Sequence, residues 1–258
     1  MHDERLAKTT QDAVLGGRLV LRQPRHGHRV GHDAILLAAA TQARSGERAV
    51  DLFAGVGAAG LALALRVPGL DVTLVEIDPA LVTLARENIA RNDLSDRARA
   101  VVLDVDAPGR EFAAAGISAA CADRVLMNPP FNDVLRQSAS PQAGRRLAHA
   151  ASQEQWSGWV GVASRLLKPN GVLTLIWRAD GLADALDALA RRFGAIAVLP
   201  VHPRPEAAAI RVLLRAVSSS RAPLRLLPGL ALADGTGRPT AEAEAVLREN
   251  AVLRLAEP

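Results

Sequence analysis

Residues 49–60 read Ala-Val-Asp-Leu-Phe-Ala-Gly-Val-Gly-Ala-Ala-Gly, so a short apolar run passes directly into three glycines. These glycines, Gly55, Gly57 and Gly60, have the spacing G-x-G-x-x-G that is typical of a loop between a strand and a helix. Glycines in such a loop let a ligand approach the backbone N–H groups at the start of the helix. The stretch therefore predicts a β-strand, a ligand-binding loop and an α-helix in direct succession.

Further along the chain, apolar segments of strand type alternate with segments of helix type. The predicted strands cover residues 49–54, 71–77, 100–103, 124–127, 172–177, 195–201 and 210–217, and the predicted helices cover residues 61–67, 79–92, 153–167 and 183–193. Near-continuous apolar strands that alternate with helices predict a parallel sheet covered on both faces. No helix separates the last two strands, which predicts an antiparallel pair. The fold class is therefore α/β, a Rossmann-like sheet of seven mostly parallel strands with an antiparallel last strand and helices on both faces.

The chain is predicted to divide into an N-terminal arm, a central domain and a C-terminal extension, at residues 1–48, 49–217 and 218–258. The arm has one predicted helix over 33–44, which Asp33 would cap. The extension has a predicted hairpin around Pro228-Gly229 and a short helix over 241–249, which Thr240 would cap. In the central domain, Asp78 and Pro79 are the predicted cap and first residue of the second helix.

The composition excludes several classes of protein. With 258 residues, 49% of them hydrophobic and 22% charged, the chain resembles an ordinary globular protein. The single cysteine, Cys121, excludes an internal disulfide and a cysteine-rich zinc site. No apolar run is long enough to cross a bilayer and no apolar signal core is present, so we expect a cytoplasmic protein that does not enter a membrane. His26, His28 and His32 lack the spacing of a zinc motif, so no metal site is expected.

The charge balance is basic, with a net charge of +4, and all but two of the 31 formal cations are arginine. Arginine binds phosphate through a bidentate fork, so arginine clusters suit a nucleic-acid surface. One cluster lies between Arg22 and Arg29, and a second comprises Arg145, Arg146 and His149. An arginine-rich codon usage gives the same composition, so charge alone leaves both interpretations open.

Two acidic residues help to distinguish between the possible ligands of the glycine loop. Glu76 ends the strand after the loop, where an acid hydrogen-bonds the ribose hydroxyls of a nucleotide-like ligand. Asp51 lies four residues before Gly55. A carboxylate there would repel the pyrophosphate of a nicotinamide dinucleotide, whereas it would stabilise a cationic sulfonium ligand and its amino group. The two acids therefore favour a methyl donor over a nicotinamide cofactor.

The stretch Asn128-Pro129-Pro130-Phe131 follows the fourth predicted strand, at the edge where open α/β sheets bind ligands. The two prolines have no N–H to donate, and they fix a stiff turn with free carbonyl oxygens. Asn128 adds a side-chain acceptor and Phe131 adds a flat apolar face. Together they predict a binding site for a planar amide or an aromatic amine. Two accepted hydrogen bonds would draw its nitrogen toward tetrahedral geometry as it is methylated.

These segments together resemble the class I S-adenosylmethionine-dependent methyltransferases of the amino-group type, through Asp51–Gly57, Val75–Pro79 and Asn128–Phe131. The wider sequence resembles the bacterial tRNA(Val) adenine-N6 methyltransferases, through Arg29–Ala38, Asn132-Asp133 and Arg145–His149. The resemblance covers about residues 20–217. It implies S-adenosylmethionine as the cofactor and an adenine beside the anticodon of a tRNA as the acceptor. The chain departs from many members at Phe53, where they have glycine.

The resemblance also implies which residues bind the cofactor. Asp51, Gly55 and Gly57 would line its methionine part, Glu76 would bind both ribose hydroxyls, and Asp104 would meet its adenine amino group. Two residues of the arm would cover the bound cofactor, namely Arg29 and Asp33.

The acceptor side is implied in the same way. Asn128 and the carbonyl oxygen of Pro129 would hold the target amine, Pro130 would keep the turn stiff, and Phe131 would stack on the target base. A predicted loop after the turn would meet RNA phosphates through Arg145, Arg146 and His149.

Several other functions stay open. A release-factor glutamine N5-methyltransferase uses the same turn, although such enzymes usually have Tyr after the prolines and a helical domain before the core. A guanine-N2 methyltransferase of ribosomal RNA shares the turn but tends to carry an extra domain, and a DNA adenine enzyme would need a target-recognition insert. A nicotinamide oxidoreductase gives no use to Asn128, and a non-catalytic RNA-binding module would tolerate Asn128→Ala.

Overall fold

A computed structural model describes residues 8–25, 29–130 and 143–255 of the chain, and the side chains of residues 143–153 lie outside this description. In this part of the chain the strands are β1 Thr9–Val14, β2 Leu19–Pro24, β3 Arg48–Leu52, β4 Asp71–Glu76, β5 Ala98–Val102, β6 Ala122–Met127, β7 Leu167–Arg178, β8 Phe193–His202, β9 Arg211–Ser218, β10 Arg225–Leu226 and β11 Leu230–Ala231. The α-helices are α1 His32–Ala40, α2 Ala58–Arg66, α3 Pro79–Arg91, α4 Gly109–Ala114, α5 Ala143–Leu166, α6 Leu182–Ala190 and α7 Ala241–Glu249. Among the described residues, no helix combines the length and the apolar character needed to cross a bilayer.

The central sheet has the strand order β10-β8-β9-β7-β6-β3-β4-β5, and β11 also pairs with β8. The strands from β7 to β5 in this order run parallel, whereas β9 lies antiparallel between β7 and β8. All seven strands that the sequence predicts are present as β3–β9, so the predicted fold class is confirmed. The strand order reverses between β3 and β6, and open α/β sheets bind ligands at such a switch point.

Helices cover both faces of this sheet, and each face has its own hydrophobic cluster. One cluster joins α1, α2, α3 and α7 to the sheet, and the other joins α4, α5 and α6 to it. Leu74 and Val75 are adjacent on β4 and fully buried, yet they belong to different clusters because successive strand residues point to opposite faces. Burial on both faces explains why the strands read as continuous apolar runs.

The start of α3 is as predicted. Asp78 accepts a hydrogen bond from the Ala80 N–H at 2.9 Å, and Pro79 occupies the first helical position. The cap satisfies one backbone N–H that has no partner within the helix, and the fixed φ of proline suits the first turn.

The helix of the arm differs from the prediction at both ends. Its N-cap is Gly31, and the predicted cap at Asp33 is wrong because the Asp33 carboxylate pairs with the Arg211 guanidinium at 2.8 Å. The helix ends at Ala40 and not at residue 44, because Thr41 adopts an extended backbone conformation. The Thr41 hydroxyl donates to the Leu37 carbonyl at 2.8 Å, which satisfies one of the last helical acceptors.

The arm also contains a hairpin that the sequence pattern does not predict. Strands β1 and β2 pair antiparallel around a short 3₁₀ turn at Leu15–Gly17, where Gly16 and Gly17 have φ values of 64° and 91°. Leu19 and Leu21 of β2 are fully buried and belong to the cluster on the α1–α3 face of the sheet. The hairpin is therefore packed onto the central sheet domain.

The C-terminal extension follows one prediction and contradicts the other. Helix α7 spans the predicted residues, and its Thr240 cap accepts a hydrogen bond from the Ala243 N–H at 3.1 Å. The predicted hairpin is wrong, because β10 and β11 both pair parallel with β8 and residues 225–231 therefore follow the sheet edge in one direction. Gly229 allows this close passage, since a Cβ there would lie 2.6 Å from the His202 ring.

Candidate cofactor and acceptor site

The glycine loop between β3 and α2 faces open space at its first glycine and packs tightly at the others. Gly55 and Gly57 have φ values of 56° and 92°, a region that L side chains rarely adopt. A Cβ at Gly57 would lie 2.7 Å from the Leu74 side chain, and one at Gly60 would lie 2.4 Å from it. A Cβ at Gly55 would meet nothing within 4 Å. The loop is thus fixed from behind by Leu74 and open to a ligand at Gly55.

Asp51 lies beneath the loop and is almost completely buried. Its Oδ2 accepts a hydrogen bond from the Gly60 N–H at 2.8 Å, so the carboxyl anchors the first turn of α2. Burial raises the pKa of the Asp51 carboxyl to about 7, and the negative charge of Glu76 adds to the rise, while the Gly60 hydrogen bond opposes it. The carboxyl therefore titrates near neutral pH, unlike an exposed aspartate.

Glu76 connects the glycine loop to the start of α3. Its Oε2 accepts from the Gly55 N–H at 2.9 Å, and its Oε1 accepts from the Asp78 N–H at 3.0 Å. Each carboxylate oxygen has two acceptor sites, so, as far as the described residues go, each has one further site for a ligand hydroxyl. Ile77, the next residue, exposes 58% of its surface and offers an apolar face beside this carboxylate. The sequence pattern does not single out Ile77, although an apolar residue directly after a strand-ending acid could have indicated it.

Asp104 follows β5 and lies at the same edge of the sheet. Its side chain is exposed, and its Oδ1 accepts a hydrogen bond from the Asp106 N–H at 2.9 Å. The chain just before it is tied to β4, because the Leu103 N–H donates to the Glu76 carbonyl at 3.0 Å. The carboxyl ends of β3, β4 and β5 thus carry Asp51, Glu76 and Asp104 in adjacent positions.

The Asn-Pro-Pro turn follows β6, which pairs with β3 in the register Leu52 to Met127. Asn128 is half-buried, Pro129 is buried and Pro130 is exposed. Phe131 lies outside the described residues, and so the predicted stacking face stays a prediction.

An aromatic group packs behind this edge of the sheet. Phe53, directly after β3, has a φ of 62° and places its ring edge-to-face on Trp159 with 4.9 Å between the ring centroids. Trp156 contacts both Trp159 and Trp177 in T-shaped geometry, at centroid distances of 5.8 Å and 4.7 Å. These contacts hold the Phe53 ring in place behind the glycine loop.

The other candidate residues either have ion-pair partners outside the glycine loop or have side chains outside the described part of the structure. The Arg29 guanidinium pairs with Asp12 at 2.9 Å, and Asp33 pairs with Arg211, so both side chains are engaged by the arm and by β9. The cationic candidates lie within helix α5 and not on the predicted loop, and their side chains are outside the described residues; they are Arg145, Arg146 and His149.

The chemistry of this edge fits a cationic, nucleoside-containing ligand. Glu76 accepts from the N–H of the open glycine Gly55, Asp51 lies beneath the loop, and Asp104 follows the neighbouring strand at the same edge. This acidic arrangement would repel a pyrophosphate and attract a sulfonium and an ammonium group. In the part of the chain that the structure covers, no group of three or more His, Cys, Asp or Glu residues is placed to hold a metal ion. The acidic residues at this edge fit S-adenosylmethionine, which supplies an electrophilic methyl group when it is bound.

A mostly parallel sheet of this order, with an antiparallel strand between β7 and β8, a glycine loop after β3 and an acid at the end of β4, is the fold of the class I methyltransferases, whose cofactor is S-adenosylmethionine. Within this class, the model of the methyltransferase small domain family matches residues 28–204. The match covers more than half of the chain, and the chain belongs to this family.

Comparison with known proteins gives relatives of several names. The chain is 31% identical to a tRNA1(Val) (adenine(37)-N6)-methyltransferase of Tolumonas auensis over 60% of this chain and 61% of that protein. It is also 31% identical to the Phocaeicola vulgatus protein of the same name, over 72% of this chain and 75% of that protein. A release factor glutamine methyltransferase of Chlorobaculum tepidum is 27% identical, over 58% of this chain and 52% of that protein. The aligned region thus spans between about half and three quarters of these relatives' lengths.

Solved structures agree on the fold. A predicted O-methyltransferase from Agrobacterium tumefaciens superposes with a TM-score of 0.72 and 28% sequence identity, over 86% of this chain and 98% of that one. The similarity extends over nearly the whole of that protein. The acceptor atom in its name, oxygen, differs from the nitrogen in the names of the sequence relatives, so the fold alone does not define the acceptor.

Proposed function

We propose that this chain transfers a methyl group from S-adenosylmethionine to the N6 amine of an adenine in RNA, and that this RNA is a tRNA modified near the anticodon. The observation that carries the proposal is the position of Asn128-Pro129-Pro130 at the end of β6, directly beside the end of β3 that leads into the glycine loop. The turn and the cofactor loop are therefore neighbours at one edge of the sheet. The names of the two tRNA-modifying relatives support adenine as the acceptor.

On the acceptor side, the turn would act by orienting an unreactive nitrogen. The exocyclic amine of adenine donates its lone pair into the ring, so it is a poor nucleophile. The Asn128 side-chain carbonyl and the Pro129 carbonyl would each accept one of its N–H groups and draw the nitrogen out of the ring plane. The new N–C bond forms as the S–C bond to the methyl group breaks, and the surplus proton passes to solvent. No strong base is needed, and alignment supplies most of the rate enhancement.

On the cofactor side, the residues would bind S-adenosylmethionine and hold it in position. Glu76 would accept the two ribose hydroxyls through the acceptor sites left free by its bonds to Gly55 and Asp78. The exposed carboxylate of Asp104 would accept the adenine amino group. Gly55 would allow the methionine part to approach the loop, and Asp51 would stabilise its positive charge from below. Arg29 and Asp33 are proposed to cover this site from the arm.

The RNA must present its adenine unstacked. Flipping a base out of its stack costs a few kcal/mol and costs less in a loop, which suits a site near an anticodon. Phe131 is proposed to recover part of this cost by stacking on the base, which is worth about 1–3 kcal/mol. Phosphates beside the adenine are proposed to contact Arg145, Arg146 and His149.

The second candidate function is methylation of a release-factor glutamine at N5. The similarity to the Chlorobaculum tepidum protein favours it. A primary amide presents two N–H donors as an adenine amine does, so Asn128 and the Pro129 carbonyl could hold either group. The guanine-N2 amine of ribosomal RNA has the same two donors and is the third acceptor to test.

The experiment compares these acceptors directly. The protein is incubated with methyl-labelled S-adenosylmethionine and, in separate reactions, with unmodified total tRNA, ribosomal RNA or release factors, and Asn128→Ala serves as the inactive control. We expect label in N6-methyladenosine from the tRNA reaction alone. Label confined to protein glutamine or to ribosomal guanine would overturn the proposal in favour of that acceptor.

A further inference from the structure

Asn88 on α3 is a buried polar residue whose hydrogen bonds connect two distant segments. Its side chain has no solvent exposure. Its Oδ1 accepts from the Arg22 N–H at 2.7 Å, and its Nδ2 donates to the Arg22 carbonyl and to the Val56 carbonyl, each at 3.0 Å. Both amide hydrogens and the carbonyl oxygen are therefore used, which a buried amide requires.

The two segments that Asn88 joins are the N-terminal hairpin and the glycine loop. Arg22 belongs to β2, and Val56 lies between the two loop glycines with positive φ. The Val56 carbonyl shares one rigid peptide unit with the Gly57 N–H, which donates to the Ala54 carbonyl at 2.8 Å. A hydrogen bond that fixes this carbonyl consequently fixes the orientation of the whole peptide unit and of the turn it closes.

Asn92, one helical turn further along, makes the same contact with the hairpin but none with the loop. Its Oδ1 accepts from the Val20 N–H at 3.0 Å, and its Nδ2 donates to the Val20 carbonyl at 2.8 Å and to the Asn88 carbonyl at 2.7 Å. Both asparagines thus pair with the backbone of β2 as a neighbouring strand would. They differ in the bond to Val56, which Asn88 alone of the two makes.

We propose that Asn88 is a positioning residue of the cofactor site, which holds the Val56–Gly57 peptide in the orientation that S-adenosylmethionine requires. Glycines on both sides of Val56 make the loop easy to reorient, so its conformation needs an external constraint. The hairpin supplies that constraint through the same amide, which ties the arm to the cofactor loop. The proposal concerns the cofactor alone and does not depend on which acceptor is methylated.

The test compares two matched substitutions, Asn88→Asp and Asn92→Asp, with S-adenosylhomocysteine as the ligand. Each change replaces an amide by a carboxyl of the same shape and removes two N–H donors. We measure the dissociation constant by calorimetry at a temperature where both variants are folded. We expect Asn88→Asp to weaken binding about tenfold, or about 1.4 kcal/mol, and Asn92→Asp to change it by less than about threefold.

A second measurement separates positioning from general destabilisation. Hydrogen exchange of the ligand-free protein should show faster exchange at residues 55–58 in the Asn88 variant and unchanged exchange there in the Asn92 variant. If Asn88→Asp does not fold, Asn88→Ser replaces it, because the shorter hydroxyl cannot span from Arg22 to Val56. Equal weakening of binding by both asparagine variants, or an Asn88 variant that binds like the wild type, would show that the residue only stabilises the fold. Because no acceptor is present, neither result depends on the outcome of the acceptor experiment.

Discussion

At the scale of single residues, the cofactor site depends on carboxyl groups held in different environments. Glu76 bridges two backbone N–H groups at the surface of the site, Asp104 is exposed, and Asp51 is buried below the glycine loop. A buried carboxyl with one hydrogen bond is costly in its ionised form, which is why its pKa is raised. An ionised aspartate therefore costs folding free energy at the buried Asp51 and does not at the exposed Asp104.

Asp51 makes the stability of the protein depend on pH in a defined direction. Its folded pKa of about 7 lies above the ordinary value of 3.8, so the unfolded chain loses this proton first as the pH rises. The contribution of Asp51 to stability is therefore fully present below about pH 4, decreases toward pH 7 and is constant above it. Asn in place of Asp51 can still accept from Gly60 but cannot ionise.

We therefore expect the Asp51→Asn variant to gain stability relative to the wild type between pH 5 and pH 7. At about 1.4 kcal/mol per pKa unit, the relative gain over this interval is about 2–3 kcal/mol. Urea unfolding of both proteins at several pH values measures it. Parallel stability curves would show that the Asp51 carboxyl stays ionised throughout.

Asn128 is proposed to contact the acceptor and not the cofactor. Asn128→Ala removes an acceptor that acts on the target amine and not on the cofactor. We expect the rate constant kcat with the methylated acceptor to fall by about 10²–10³, as for other preorganised polar groups. The affinity for S-adenosylhomocysteine, measured by calorimetry, should not change. A variant that loses both in proportion would indicate that Asn128 supports the cofactor loop.

Which residues could be recognised from the sequence depends on how far their partners lie along the chain. Glu76 and Asn128 stand at strand ends with informative neighbours, so the local pattern correctly predicts their positions at the edge of the sheet. Asp33 bonds Arg211, 178 residues away, and Asn88 bonds Arg22 and Val56, 66 and 32 residues away. A residue whose role is set by such distant partners leaves no local signal, so the local pattern predicts Asp33 as a helix cap, a role that it does not have in the fold.

At the scale of secondary-structure elements, the glycine loop is shaped by backbone conformation and by close packing together. Gly57 has both a φ of 92° and a neighbour, Leu74, that excludes a Cβ. Gly46 has a similar φ of 81°, but a Cβ there would meet nothing within 4 Å. Substitutions at Gly57 and Gly46 therefore distinguish the free-energy cost of backbone strain from the cost of displacing the loop.

We expect Gly57→Ala and Gly46→Ala to lower the free energy of unfolding by different amounts. Strain alone costs of the order of 1–3 kcal/mol at either site, and the Gly57 variant must also move Leu74 or the loop. The Gly57 variant should additionally lose affinity for S-adenosylhomocysteine, while the Gly46 variant keeps it. Chemical unfolding measures the change in stability, and calorimetry measures the change in affinity. An unchanged affinity in the Gly57 variant would contradict the inference that close packing on Leu74 shapes the cofactor loop.

Elements with local signals were predicted well. Helices α3 and α7 begin as predicted, because their caps, Asp78 and Thr240, bond to backbone N–H groups only two or three residues further along the chain. The path of residues 225–231 depends on β8, which lies more than twenty residues earlier, so a proline-glycine pair that commonly marks a reversal was misleading. The hairpin β1–β2 has a local signal in the Gly16-Gly17 pair and in the alternate burial of Leu19 and Leu21, but the polar residues of β1 obscure it.

At the scale of the whole molecule, the N-terminal arm and the C-terminal extension complete one face of the sheet. Leu253 is fully buried beside α1, and its N–H donates to the Ala39 carbonyl at 2.9 Å. The Arg18 guanidinium of the arm donates to the Glu249 carbonyl of the extension at 2.7 Å. We therefore expect the extension to contribute to the stability of the core.

Adjacent residues in the extension give the matching test. Leu253→Ala removes a buried side chain and should lower the free energy of unfolding by about 2–5 kcal/mol. Val252 exposes 45% of its surface, and Val252→Ala should change stability by no more than about 0.5 kcal/mol. Urea unfolding of the two variants measures the difference. Equal and small losses would mean that the extension is only loosely attached.

The parallel path of residues 225–231 along β8 has a consequence for behaviour at high protein concentration. Without that segment, a ten-residue strand would present its unpaired N–H and C=O groups to other chains. The segment pairs with β8, so the edge of the sheet is formed by two strands of two residues each in place of one long strand. Short, interrupted borders offer a poor template for intermolecular β-pairing, so the route by which folded sheets grow into aggregates is blocked on that side.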